Sequence, residues 1–240
     1  ITKNIMKYIQ LLYRILKRFF QTCLGKNHLI FPSCALSYDY FGSEYGGWPV
    51  TDRIFNSESV IYSFGIGNDI SWDLAVIEHY GASVFAFDPT PVCEEWIKQQ
   101  QLPSLFLYHK VGLSDHNGTE ELSVPENDLH VSYSKVLTDS SSKTEIFSVN
   151  TLDQLMQING HKSIDVLKMD IEGGEYNVID DIINKSIFPT IILVEFHHRF
   201  DGVGVEKTRN SIDKLKSAGF CIFFVSTNGE EFGFIKKDKL

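Results

Sequence analysis

Short apolar segments alternate with amphipathic segments along this 240-residue chain from residue 60 onward. Most of the apolar segments are continuous, such as Ile191-Ile192-Leu193-Val194, which is typical of strands buried on both faces of a parallel sheet. The pattern predicts seven strands, at 60–65, 83–88, 105–111, 164–170, 190–196, 220–226 and 231–236. It also predicts five helices, at 70–80, 91–100, 151–159, 174–184 and 205–218.

This alternation indicates an α/β fold with a doubly wound, mostly parallel seven-stranded sheet. The short turn Thr227-Asn228-Gly229 joins the last two strands, so we expect an antiparallel hairpin at one edge. Thr151 and Gln154 have the spacing of a capping box, which predicts that the Thr151 side chain caps the helix beginning there.

Residues 1–26 form a separate basic segment. Polar residues recur there in steps of four and three, which predicts an amphipathic helix over 3–21. Such a helix either docks on its own domain or a partner subunit, or lies on a membrane surface. Because the sequence begins at Ile1 rather than Met, an upstream anchor or signal stays an open expectation. The location is unknown, and both a cytoplasmic and a membrane-associated location stay open.

Two further segments depart from the alternation. Residues 27–59 are rich in turn formers and are expected to be a loop leading into the domain at 60–240. Residues 115–147 are polar and offer few core positions, so we interpret them as a hairpin and loop insertion on the substrate side of the sheet.

Charge is distributed unevenly along the chain. Of the 22 basic residues six lie in 1–26, whereas all 31 acidic residues lie beyond it. A domain this acidic argues against nucleic-acid binding and favours a cationic small molecule or a neutral polar substrate. The four cysteines lack metal-ligand spacing, which argues against a structural zinc site.

The first predicted strand ends in a glycine turn. Gly65 and Gly67 would let a ligand approach the backbone, and Asp69 lies where the following helix begins. A dinucleotide fingerprint requires a third glycine where Ile70 stands, which argues against NAD or FAD. A plain tight turn is the alternative.

The second predicted strand ends in an acid, Asp88, 23 residues after the first glycine of the turn. An acid at this distance can accept hydrogen bonds from ribose hydroxyls, and Thr90 lies in the same turn. The alternative is an aspartate that caps the next helix.

Carboxylates cluster after the fourth predicted main strand. Asp170, Glu172 and Glu175 lie within six residues, and a cationic ligand would relieve their repulsion. The alternative is a solvated acidic turn that caps the next helix. The following strand ends in Glu195 and His197, which share one face, and His197 is a candidate base for a hydroxyl proton.

Together these segments resemble the FkbM family of S-adenosylmethionine (SAM) dependent methyltransferases over roughly residues 40–236. The resemblance rests on ordered motifs: Ser63-Phe64-Gly65-Ile66-Gly67, Phe87-Asp88-Pro89, Val111-Gly112-Leu113-Ser114-Asp115, Thr151-Leu152-Asp153 and Leu167-Lys168-Met169-Asp170-Ile171-Glu172-Gly173-Gly174-Glu175. It implies the Rossmann-like class I methyltransferase fold and methylation of hydroxyl groups on sugars, glycans or polyketide-type products.

The resemblance also implies a set of cofactor contacts. Gly65 and Gly67 would approach the methionine end of SAM, Asp88 its ribose, and Gly112 and Leu113 its adenine. We also count Asp69, Thr90 and Asp170 among the cofactor-binding candidates.

We therefore expect SN2 methyl transfer from SAM to a hydroxyl of a small-molecule or glycan acceptor. His197 would act as the base, with Asp170 or Glu172 orienting the acceptor or the cofactor. A divalent metal held by Asp170 and neighbouring acids could lower the hydroxyl pKa instead. The alternatives are a SAM-binding module without turnover, a nitrogen or carboxylate acceptor, and an NAD-linked oxidoreductase; the oligomeric state stays open.

Overall fold

A computed structural model describes residues 2–123 and 144–240 and has a seven-stranded sheet at its centre. The helices are α1 (Thr2–Cys23), α2 (Ser71–Tyr80), α3 (Pro91–Ile97), α4 (Leu152–Ile158), α5 (Glu175–Asn184) and α6 (Val205–Ser217). The strands are β1 (Asp39–Phe41), β2 (Trp48–Val50), β3 (Val60–Phe64), β4 (Ser83–Phe87), β5 (Phe106–His109), β6 (Gly112–Leu113), β7 (Gly118–Ser123), β8 (Thr144–Asn150), β9 (Val166–Met169), β10 (Ile191–Glu195), β11 (Phe220–Val225) and β12 (Glu231–Lys236).

The central sheet has the strand order β11-β12-β10-β9-β3-β4-β5. Strands β5, β4, β3, β9 and β10 run parallel, whereas β12 pairs antiparallel with both β10 and β11. This arrangement confirms the predicted fold and its edge hairpin. From β3 the chain first continues to β4 and β5 and later returns to β9 on the other side, so the strand order reverses between β3 and β9.

Helices cover both faces of this sheet. On one face α4, α5 and α6 bury Leu155, Ile179 and Leu215. On the other, α2 and α3 bury Trp72 and Ile97. The strands between them are shielded from solvent on both faces. Their sequences are therefore continuous apolar runs rather than alternating ones.

Helix α1 contacts the domain through its polar side. The Arg18 guanidinium is buried and donates to the carbonyl oxygens of His28, Ile30 and Ser226 at 3.0–3.1 Å. The apolar side is exposed and consists of Met6, Ile9, Leu11, Leu12, Tyr13, Ile15, Leu16, Phe19 and Phe20. Within the described part of the chain, no helix combines the length and the apolar character needed to cross a membrane.

The structure refines two predictions made for the irregular segments. The lead-in at 27–59 contains the antiparallel pair β1–β2, whose three-residue strands are too short to show periodicity. Within the insertion, β7 and β8 form the expected hairpin, joined by β6 into a three-stranded sheet. The remainder of the insertion, 124–143, lies outside the described residues.

The prediction that the Thr151 side chain caps its own helix is wrong. Thr151 is the N-cap residue of α4, but its side chain makes no capping hydrogen bond. Instead, both its backbone N–H and its hydroxyl donate to Oδ1 of Asn117, at 2.9 and 3.3 Å. The hydroxyl therefore ties α4 to the β6–β7 connection.

Candidate functional site

A cavity of about 1150 Å³ opens at the carboxyl ends of β3, β4, β9 and β10, where the strand order reverses. Ligands bind at this position in open α/β sheets because the strand ends leave a crevice there. All of the predicted site residues line this cavity: Gly65, Gly67, Asp69, Asp88, Thr90, Gly112, Leu113, Asp170, Glu172 and His197. The structure thus brings these ten residues together around one cavity.

The glycine turn after β3 is shaped by the neighbouring strand. Gly65 has a φ of +73°, and a Cβ built on it would lie 1.6 Å from the carbonyl oxygen of Asp170. A side chain is therefore excluded at position 65 by the protein's own backbone. Gly67 has a φ of +51° and donates its N–H to Oδ2 of Asp88 at 3.0 Å. The turn leaves bare backbone facing the cavity.

Asp88 is buried between two turns. Besides the Gly67 N–H, its carboxylate accepts hydrogen bonds from the backbone N–H and the hydroxyl of Thr90, at 2.9 and 2.6 Å. Burial raises the pKa of Asp88, and these hydrogen bonds oppose the rise. The cap of α3 is Thr90, whose hydroxyl oxygen accepts from the Cys93 N–H. Asp88 therefore positions the capping residue and does not itself cap the helix.

Asp69 and the strand β6 complete the wall of the cavity. Asp69 accepts hydrogen bonds from the Ser43 hydroxyl and the Ser71 N–H, at 2.5 and 2.9 Å. Partial burial raises the pKa of Asp69, but these hydrogen bonds outweigh it and lower the pKa overall. On β6, a Cβ at Gly112 would lie 3.3 Å from the Pro89 side chain. Gly112 and the buried Leu113 thus lie beside the turn that holds Asp88.

His197 lies among three carboxylates. Its Nδ1 is 2.7 Å from Oε1 of Glu175, and its Nε2 is 3.3 Å from Oε2 of Glu172 and 3.6 Å from Oδ1 of Asp170. His197 is 8% exposed and faces the cavity, whereas His198 packs on His28 with ring centroids 5.2 Å apart. The strand end thus directs only one of the two adjacent histidines to the cavity.

Burial and neighbouring charges shift the pKa values of the ionisable groups in and beside this cluster. Burial alone would lower the pKa of His197, but the carboxylates around it, Glu175 foremost, raise the pKa well above its usual range. Burial raises the pKa of Asp170 to about 6 and that of Glu195 to about 9. The surrounding carboxylates therefore favour the protonated imidazole, whereas a role as a base requires the neutral form.

Sequence reasoning did not assign a role to two buried charged residues beside the cavity. Glu175 is fully buried and hydrogen-bonds His197; its place in the acidic motif was visible, but its contact with the next strand end was not. Lys168 lies inside the apolar strand β9, which is the signal that could have identified it. Its Nζ lies 5.8 Å from the Trp48 ring centroid and 6.0 Å from that of Trp72, so the charge is stabilised by aromatic faces.

This chain is similar in sequence to one protein family and to known proteins. The family described as Methyltransferase FkbM domain matches residues 60–222. The human protein named "Probable methyltransferase-like protein 24" is 25% identical over 162 residues, covering 67% of this chain and 38% of that protein. Hexuronic acid methyltransferase AglP of Haloferax volcanii is 27% identical over 152 residues, covering 58% of this chain and 61% of that protein.

A solved structure completes the comparison. The crystal structure of Methyltransferase FkbM from Methylobacillus flagellatus KT has 13% sequence identity and a TM-score of 0.46, covering 75% of this chain and 44% of that chain. The chain spans less than two thirds of each of these two relatives and of this solved chain. Because the family match covers more than half of the sequence, including both the glycine turn and the acidic motif, this protein belongs to the FkbM methyltransferase family.

Proposed function

We propose that this protein transfers a methyl group from SAM to a hydroxyl group of a sugar or glycan. The observation that carries the proposal is the convergence of the Gly65 turn, Asp88 and the Asp170–Glu172–His197 cluster on one cavity at the reversal of strand order. Membership of a methyltransferase family supports the reaction class.

The charge of the cavity supports a cationic cofactor. Its lining includes the acidic residues Asp69, Asp88, Asp170 and Glu172. The sulfonium of SAM carries a positive charge, so an acidic, partly desolvated wall would attract it. NAD, with its anionic pyrophosphate, would be repelled by the same wall.

Asp88 retains limited capacity for a ribose. A carboxylate offers about four acceptor positions, and three hydrogen bonds from Gly67 and Thr90 already use most of them. One ribose hydroxyl could therefore add to the existing contacts, whereas a second would have to displace the hydroxyl of Thr90. This geometry supports one hydrogen bond from a ribose hydroxyl to a carboxylate oxygen of Asp88, with Thr90 beside it.

The chemistry is a direct displacement. The acceptor oxygen attacks the methyl carbon, the carbon–sulfur bond breaks with its electron pair passing to sulfur, and S-adenosylhomocysteine leaves as a neutral thioether. Alignment of oxygen, carbon and sulfur provides much of the acceleration. Removal of the hydroxyl proton adds roughly 10²–10⁴-fold, and we assign hydroxyl activation to the Asp170–Glu172–His197 cluster.

We further propose that the acceptor carries a carboxylate, as a uronic acid does. Arg14 and Lys17 of α1 also line the cavity and are exposed, whereas Asp170 and Glu172 in the same lining are partly buried. An acceptor carboxylate could pair with these two cations while the acidic residues hold the cofactor. The name of the Haloferax relative, a hexuronic acid methyltransferase, agrees with this chemistry.

The acceptor proposal is tested by incubating the protein with SAM and matched pairs of uronic acids and neutral hexoses. We expect S-adenosylhomocysteine to accumulate with the uronic acids, and Lys17→Ala to raise their KM with little change in kcat. Accumulation with neutral sugars alone would contradict the acidic acceptor. Binding of SAM without product from any acceptor would favour the alternative of a binding module without turnover.

We also propose that the exposed apolar face of α1 contacts a membrane surface. Leu16 and Phe20 are 58% and 66% exposed on a helix whose segment, 1–26, contains basic but no acidic residues. The fraction of protein that floats with vesicles containing anionic lipid should fall in the double variant Leu16→Gln/Phe20→Gln. The matched control is Ile146→Gln on the β7–β8 hairpin, where the side chain is 73% exposed. Equal flotation of the wild type and the α1 variant would contradict membrane contact.

A further inference from the structure

Three side chains at the floor of the cavity have the arrangement of a metal site. Asp170, Glu172 and His197 each offer one ligand atom, and the three atoms lie within 4.8 Å of one another. Ligands at about 2.1 Å from a divalent ion lie about 3–3.5 Å apart when they are neighbours in its coordination sphere. The measured separations from Nε2 of His197, 3.3 Å to Glu172 and 3.6 Å to Asp170, are close to this range.

A second observation comes from the groups around these atoms. Oδ1 of Asp170 is shielded from solvent and has no hydrogen-bond partner within residues 2–123 and 144–240, although it faces the cluster. An unpartnered buried carboxylate oxygen is costly unless a ligand satisfies it. The side chain of His197, at 8% exposed, directs Nε2 to the same point.

Glu175 holds His197 in the orientation that a metal ligand requires. Its fully buried carboxylate accepts from Nδ1 of His197 at 2.7 Å and from the Gly173 N–H at 3.1 Å. A carboxylate on Nδ1 fixes the tautomer in which Nε2 carries the free electron pair, as in carboxylate–histidine–metal sets. The backbone at Glu172 has a φ of +51°, a conformation that costs energy for a residue with a side chain and is common at functional sites.

We propose that Asp170, Glu172 and His197 bind one divalent cation of the Mn²⁺ class, with Glu175 as a positioning residue behind His197. Two carboxylates and one imidazole form a mixed oxygen and nitrogen set, and Mn²⁺ accepts both. The remaining coordination positions face the cavity, where an acceptor hydroxyl would bind. The ion would lower the pKa of that hydroxyl and allow its proton to pass to solvent water before the oxygen attacks the methyl carbon. This catalytic role rests on the proposed function, whereas the ion site itself does not.

The experiment titrates chelator-treated protein with Mn²⁺ and follows the free ion by electron paramagnetic resonance. We expect one tightly bound ion per chain in the wild type. Glu172→Gln and His197→Ala should each weaken binding at least tenfold, and Glu175→Gln should weaken it roughly 10–100-fold by releasing the imidazole. Glu172 is partly exposed, so Glu172→Gln should disturb the fold less than His197→Ala. It therefore tests the site even if His197→Ala fails to fold.

The control lies in a second cluster of the same composition. Asp115, His116 and Glu120 also bring three ligand atoms together, but Asp115 and His116 are exposed on the β6–β7 connection and Glu120 is half-buried on β7. His116→Ala should therefore leave tight Mn²⁺ binding unchanged. Absence of binding in the wild type, or binding that His116→Ala removes and Glu172→Gln does not, would overturn the proposal.

Parallel calorimetry with SAM separates this proposal from the proposed function. SAM binding without Mn²⁺ binding would overturn the ion site and leave the cofactor assignment standing. Mn²⁺ binding without SAM binding would support the ion site and contradict the methyltransferase reaction.

Discussion

The carbonyl oxygen of Asp170 lies so close to Gly65 that a Cβ at position 65 would stand 1.6 Å from it. The contact joins the ends of β3 and β9, the two strands between which the sheet order reverses. Register enforces it, because Phe64 pairs with Met169 and the Asp170 N–H donates to the Phe64 carbonyl at 3.1 Å. The glycine turn and the acidic motif are thus one structural unit.

Gly65→Ala should therefore disrupt the site and the fold together. A Cβ must displace backbone rather than a flexible side chain, so we expect a loss of about 3 kcal/mol in the free energy of unfolding. Gly160→Ala is the matched control, because Gly160 has a φ of +74° but open space around it. It should lose only about 1 kcal/mol. Chemical denaturation measures both, and equal losses would contradict the backbone contact.

Asp88→Asn should weaken SAM binding at least tenfold, which corresponds to about 1.4 kcal/mol. The amide would turn its NH₂ group toward either the Gly67 or the Thr90 N–H, so one buried donor loses its acceptor. The free energy of unfolding should also fall, by about 2 kcal/mol. Asp201→Asn, at an exposed turn, is the control for both measurements. An Asp88→Asn variant with wild-type affinity for SAM would contradict the ribose assignment.

Acid should destabilise the protein through His28. Burial foremost, then the charges of Arg18 and Arg209, lower the pKa of His28 to about 4, and His198 packs against its ring. Between about pH 6.5 and 4 the unfolded chain binds a proton that the folded chain excludes. The free energy of unfolding should therefore fall with decreasing pH, by up to about 1.4 kcal/mol per pH unit from this group.

His28→Gln removes that contribution and should flatten the acid side of the stability profile. Denaturation between pH 7 and 4.5 measures the slope for the wild type and the variant. The control is His79→Gln at an exposed position, which should retain the wild-type slope. A His28→Gln profile as steep as that of the wild type would exclude His28 as a source of the acid sensitivity.

Arg18→Ala should release α1 from the domain. Three carbonyl oxygens lose a charged donor, and we expect faster amide hydrogen exchange across α1 and a loss of about 2–4 kcal/mol in docking free energy. Arg18→Lys should rescue little of this, because an ammonium cannot reproduce the planar set of guanidinium donors. Lys26→Ala removes the same charge from an exposed position and serves as the control. Unchanged exchange in Arg18→Ala would show that α1 docks by other contacts.

The sequence allowed the sheet to be predicted because its strands are buried on both faces. Every predicted strand of the central sheet is present, with ends that differ from the structure by at most two residues. The site followed from the same rule, since polar residues immediately after parallel strands must meet at one edge of the sheet. Gly65, Asp88, Asp170 and His197 come from four different strand ends and line one cavity.

What sequence analysis could not predict depends on contacts between distant segments. The Thr151 hydroxyl bonds Asn117, 34 residues earlier, instead of capping its own helix. Arg18 follows the polar period of α1 and resembles a solvent-facing residue, yet it reaches the Ser226 carbonyl 208 residues away. Glu175 opens α5 but acts on His197, beyond the next strand. Local pattern contains no signal for any of these partners.

The central claim is that the cavity binds SAM. Calorimetric titration of the wild-type chain with SAM, S-adenosylhomocysteine and NADH tests it without knowledge of the acceptor. We predict saturable binding of SAM and S-adenosylhomocysteine with one site per chain, and no binding of NADH. Binding of NADH in the absence of SAM binding would contradict the account.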